Sequence, residues 1–149
     1  MNFTSRQLSL KNLVGFPLVV DKNKDLFDDV TSEMTEFKKI MLGNDFFTDG
    51  PVYFSYLPGQ EAEPITVFTT IGNRVEITGD NELGLFYQEK LDIRTDYYYR
   101  HYNQNELIPY DEIQGEIESA GLRLVNIIHV ILDLYGDYVI DLYCEVEKG

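Results

Sequence analysis

Two stretches of the chain repeat their apolar residues at helical spacing. From about Asp25 to Leu42, Phe27, Val30, Met34, Phe37 and Met41 fall on one stripe, which predicts an amphipathic helix. Asp25, Asp28 and Asp29 lie near its start and Lys38 and Lys39 near its end, as the helix dipole favours. Gly43 is a suitable stop residue. A second helix is predicted from about Pro109 to Ala120, with Tyr110, Ile113, Ile117 and Ala120 as its stripe and Gly121 after it.

The remaining apolar residues follow strand patterns. Gln7 to Val20 holds one or two strands, followed after the first helix by Pro51 to Leu57 and Ile65 to Ile71. Val75 to Ile77 and Leu85 to Glu89 are weaker segments, and Ile93 to Tyr102 is dense in tyrosine. Leu124 to Leu134 and Tyr138 to Val146 form the strongest pair, with Gly136-Asp137 as a turn signal between them.

The elements fall into two strand–helix–strand–strand units, about residues 7–72 and 84–146, joined through Gly72 to Gly84. An offset of 75 places Ile65, Val67, Thr69 and Ile71 on Ile140, Leu142, Cys144 and Val146. That parity is mainly apolar and is expected to face a helix; the other, with Asp141, Tyr143 and Glu145, is mixed and could line an open face. The expected fold class is α+β: two pseudo-symmetric units in an antiparallel sheet, with helices on one side. The 149 residues fit a single domain, 1–149.

Charge narrows the functional classes. Twelve basic against 26 acidic residues give a net charge of −14, which opposes nucleic-acid binding and suits cations or a basic partner. The lone cysteine, Cys144, offers neither an internal disulfide nor a thiolate zinc site, as in a reducing, cytoplasmic setting. Residues Met1 to Arg6 lack a signal-peptide pattern, and the apolar run from Leu124 to Leu134 is too short to span a membrane as a helix.

Candidate chemistry concentrates on tyrosines and carboxylates. Asp141, Tyr143 and Glu145 share a strand face; carboxylates beside tyrosine rings make a cation site, while a solvated sheet face is the plain alternative. In the run Tyr97 to Tyr102, Tyr97, Tyr99 and His101 point one way and Tyr98, Arg100 and Tyr102 the other. This cluster suits an interface or cross-strand packing. The turn length at Gly136-Asp137 decides whether His129 shares a face with Cys144 or with Tyr143. No nucleophile–base–orienter set, metal-ligand spacing or phosphate loop is present in the sequence, so no enzyme activity, cofactor or metal is expected.

The segments Thr48 to Tyr56 and Val139 to Val146 make the chain resemble GyrI-like, or effector-binding, domains. That resemblance implies two pseudo-twofold-related units with a ligand cleft between them. It also implies that Glu145 with Tyr143, or Tyr97 and Tyr99, could hold a small aromatic cation. More narrowly, Gly50-Pro51-Val52-Tyr53-Phe54 is similar to a small family encoded beside LXG-type toxins in type VII secretion loci. This implies a cytosolic chaperone or adaptor with a secreted toxin as protein partner, or a toxin immunity protein. The candidate binding residues are therefore Tyr53, Tyr56, Tyr97, Tyr99, His101, Asp141, Tyr143 and Glu145.

Overall fold

The structure, a computed structural model, describes residues 1–20, 25–44, 46–59, 64–72, 85–102, 106–134 and 136–149. Its elements run β1 (Thr4–Leu18), α1 (Leu26–Gly43), β2 (Val52–Ser55), β3 (Ile65–Thr70), β4 (Phe86–His101), α2 (Tyr110–Ser119), β5 (Leu122–Leu134) and β6 (Asp137–Lys148). The order is strand, helix, strand, strand, written twice. Val75 to Ile77 and most of the expected joint lie outside the described residues.

Helix α1 begins where Asp25 can cap it. The Asp25 carboxylate accepts from the backbone N–H of Phe27 at 2.9 Å and of Asp28 at 3.2 Å. Val30, Met34, Phe37 and Met41 then bury one stripe against Val14, Phe54, Ile65, Val67, Ile71 and Ile131. The helix continues to Gly43, with Asn44 as its cap, so Lys38 and Lys39 fall before the last turn. Lys38 instead donates to the carbonyl of Gly50 at 3.1 Å. In α2, Ile113 and Ile117 pack on Leu124, Ile127, Ile140, Leu142 and Cys144. Ala120 is the exposed cap of α2 rather than part of its stripe, and Gly121 follows with φ +78°.

The strands close into a barrel in the ring order β1-β3-β2-β5-β6-β4, all neighbours antiparallel. Both helices cover its outer face, since Ile127 and Ile131, which receive α2 and α1, share one parity of β5. The sheet with helices on one side therefore curls shut, which the sequence pattern did not indicate. The parity expected to lie open is inside: Leu13, Tyr53, Phe68, Ile93, Tyr98, Ile128, Val130 and Tyr143 form the inward core.

Closure depends on a long ribbon. β1 and β4 pair from Thr4–Tyr98 to Gly15–Phe86, yet β1 meets β3 only from Leu13 and β4 meets β6 only from Tyr98. β1 was expected as one or two strands and β4 as two separate segments, Leu85 to Glu89 and Ile93 to Tyr102; each forms one continuous strand. Asn12, at φ +56°, lets Leu8 and Leu10 before it and Leu13 after it all enter the inward core. The turn between β5 and β6 is also displaced by one residue. Leu134 pairs with Asp137, leaving 135 and 136 between them, and Gly136 has φ +94°. His129 consequently opposes Leu142 and shares the outer face with Cys144. Among the described residues, no helix is long and apolar enough to cross a membrane.

Candidate functional site

The eight nominated residues divide between the two faces of the barrel wall. Tyr53 and Tyr143 belong to the inward core, and Asp141 and Glu145 follow the parity of Tyr143 on β6. Tyr97 and Tyr99 instead pack with the α2 cluster, and the Tyr97 ring meets Phe3 edge-on at 5.2 Å. His101 is buried, with Nε2 2.9 Å from the Glu106 carbonyl, a local tether. Tyr56 lies edge-on to Tyr110 at 5.9 Å between ring centroids, again on the helix side. The candidate site thus contains four of the eight.

Arg100, Arg6 and Tyr98, outside the nominated set, add polar and charged groups to the inward face. Arg100 Nε and Nη2 grip the two carboxylate oxygens of Asp141 at 2.6 and 2.9 Å. The Asp141 side chain is 4% exposed and that of Arg100 31%, so the carboxylate is the deeper partner. Its hydrogen bond holds the Arg100 guanidinium firmly protonated. The cation that Asp141 was expected to receive is therefore already supplied by the chain. Asp141 is also too buried to form the solvated acidic face that was its alternative.

Arg6 supplies a second internal cation. Its guanidinium carbon sits 4.7 Å from the centroid of the Tyr98 ring, and Nη1 donates to Tyr98 Oη at 2.8 Å. The rings of Tyr98 and Tyr143 lie 5.1 Å apart, and Tyr53 stacks on Phe68 at 5.3 Å. Burial pushes the hydroxyls of Tyr53 and Tyr98 up to about 12, so both stay protonated at neutral pH. Burial likewise raises Tyr143, with Arg6 opposing that shift by charge and hydrogen bond.

Glu145 differs from Asp141. Burial raises its pKa, and among the described residues it forms no ion pair. It lies opposite Asn126, whose side-chain carbonyl accepts from Ser55 Oγ at 2.7 Å. Asn126 and Ser55 also line a hollow of about 90 Å3 with Tyr56, Pro64 and Thr66. Among the described residues, this half-buried carboxylate without an ion pair, on the strand that carries Tyr143, is the group best suited to attract a foreign cation.

The outer face holds different chemistry. His129 is fully buried, stacked 4.3 Å from Phe54, and burial lowers its pKa to about 3. Cys144 is buried too, and its thiol is pushed up to about 12, which suppresses the thiolate. These two therefore lack the ionised forms that nucleophilic chemistry needs. A groove of about 330 Å3 lies between the start of α1 and the β5–β6 hairpin, lined by Asp25, Phe27, Asp28, Thr31, Ile131, Tyr138 and Ile140. It is larger than the hollow at Asn126, but Asp25 there is engaged in capping α1. Among the described residues, no group of three or more histidine, cysteine or carboxylate side chains is placed to hold a metal.

No protein-family model and no curated protein matches the chain. Among solved structures, the chain is similar to the EcmrR C-terminal domain, with a TM-score of 0.64 at 11% identity over 100% of both chains. It is also similar to EcmrR in the cryo-EM structure of the EcmrR–DNA complex, with a TM-score of 0.65 at 12% identity, covering 99% of this chain and 58% of that one. At such identities the likeness is one of fold. The chain has the α+β, mainly antiparallel architecture of the EcmrR C-terminal domain, a coarse fit to the GyrI-like fold.

Proposed function

We propose that this chain is a non-catalytic binding protein for a small organic cation, received on the inward face of the barrel by Glu145 and the tyrosines beside it. The observation that carries the reading is the placement of Glu145: a half-buried carboxylate two residues from Tyr143 on the same strand face, in no ion pair among the described residues. A bound cation would relieve that desolvation, and aromatic walls would add ring–cation attraction. The fold likeness supports the reading, because GyrI-like domains are effector-binding modules by resemblance. We further propose that the two halves are pseudo-symmetric. Exchanging β1 with β4, β2 with β5 and β3 with β6 returns the same ring order.

The expectation of a toxin chaperone draws no support from the structural relatives, and Asp141, one of its acidic contacts, is spent on Arg100. The net charge of −14 places DNA contact outside the role proposed for this chain.

Thermal-shift titration with tetraphenylphosphonium tests the proposal. Saturable stabilisation is expected, absent with the uncharged analogue tetraphenylmethane-type probes and lost in Glu145→Gln. Equal stabilisation of Glu145→Gln and the parent chain would remove Glu145 from the site.

A further inference from the structure

We infer that Arg6 is a built-in competitor: its guanidinium occupies the ring surface that a ligand cation must reach, so binding requires Arg6 to leave Tyr98. The inference rests on the binding reading above and goes beyond it by naming what the ligand displaces. Three observations carry it. Arg6 lies over Tyr98 at 4.7 Å with a 2.8 Å hydrogen bond to the hydroxyl, the arrangement a ring offers a ligand cation. Arg6 is an exposed residue, whereas Tyr98 and Tyr143 are 8% and 3% exposed. It is thus a cover over buried rings. Finally, no ion pair of Arg6 is formed among the described residues, in contrast to Arg100 with Asp141.

The position in the fold makes displacement inexpensive. Arg6 sits on β1 at the register shift between Thr4 and Arg6, where the ladder to β4 is already irregular. At that point β1 pairs with β4 and has not yet reached β3, whose pairing starts at Leu13. The side chain can therefore swing to solvent while the barrel stays closed. What it gives up is the ring contact with Tyr98 and its hydrogen bonds to the Tyr98 and Tyr143 hydroxyls, groups that water can replace at its exposed end. A ligand cation then meets Tyr98 and Tyr143 from the side Arg6 vacates, with Glu145 on the same strand face as Tyr143.

The test is isothermal titration of tetraphenylphosphonium into the full chain and three variants. Arg6→Ala is expected to bind about tenfold tighter than the parent, because the ligand no longer has to displace the guanidinium from Tyr98 and Tyr143. Arg6→Lys, which keeps the charge without the planar donor fork, is expected to fall between them. Arg94→Ala serves as the charge control, because Arg94 is an exposed residue on β4 paired with Gln7. Its affinity is expected to match the parent. If Arg6→Ala binds no tighter than a binding-competent parent, or Arg94→Ala tightens equally, the inference is overturned while the binding reading stands. If neither parent nor Arg6→Ala binds, the binding reading itself fails and the inference with it.

Discussion

The hydroxyl of Tyr110 meets Nε2 of His129 at 2.8 Å, tying the first turn of α2 to the middle of β5. The other ring nitrogen, Nδ1, lies 3.1 Å from the Ile127 carbonyl, which can only accept. Nδ1 therefore carries the proton, and Nε2 accepts from Tyr110. The neutral ring is enclosed by Phe54 from β2, Phe27 from α1 and Tyr56. One imidazole thus joins both helices to the barrel wall.

Tyr110→Phe would leave Nε2 buried without its donor. The expected cost is about 1–2 kcal/mol in urea denaturation, with the native near-ultraviolet dichroism kept. A loss below a few tenths of a kcal/mol would show that the bond is replaceable.

Burial holds the His129 pKa at about 3, below the ordinary 6.5. The unfolded chain then takes up a proton that the folded chain refuses. The His129 contribution to stability is complete above about pH 6.5 and is lost as pH falls toward 3. Unfolding free energies of the parent and His129→Gln, measured from pH 7.5 to 4.5, should converge as pH falls. Parallel curves would contradict the buried neutral ring.

Asp141 and Arg100 should respond unequally to truncation. Arg100→Ala leaves the deeper carboxylate without its counter-ion and held only by the Tyr98 hydroxyl, while Asp141→Ala leaves a guanidinium that is 31% exposed and can reach water. The expected loss is about 3 kcal/mol for Arg100→Ala and about half that for Asp141→Ala. A chemical-denaturation series with Arg100→Met/Asp141→Leu should recover most of the stability. The reverse ranking would mean that the Tyr98 hydroxyl alone suffices to hold the carboxylate.

Gly15 lies where β1 is paired with both β3 and β4. A Cβ there would strike the Val67 carbonyl and lie 2.7 Å from both Phe68 Cβ and Phe86 Cε1. Gly15→Ala should therefore cost about 3 kcal/mol or more and broaden amide spectra around β1, β3 and β4. Retention of parental stability would show that the ribbon can shift outward.

Much of the fold was legible in local pattern. The stripe Val30, Met34, Phe37 and Met41 marked α1 and its buried face, and Ile113 and Ile117 did the same for α2. The matched strands also turned as read, with Ile65 and Val67 toward α1 and Ile140, Leu142 and Cys144 toward α2. Closure was not legible, because it depends on pairing between β1 and β4 across some eighty residues of sequence, such as Leu10 with Leu91. For the same reason the pattern could not anticipate Arg6 on Tyr98, residues that only the ribbon brings together. Alternation correctly separated Tyr97 and Tyr99 from Tyr98, yet it could not say which face would hold the inward core. Asp141 was misread because a carboxylate on a mixed face looks solvated until its cross-strand neighbour, Arg100, is known.

A crystal structure of the chain with tetraphenylphosphonium would show which face receives the cation. Ligand density is expected against Tyr98 and Tyr143 within reach of Glu145, with Arg6 turned to solvent. Density confined to the groove of Asp25, Phe27 and Tyr138, with Arg6 still over Tyr98, would contradict it.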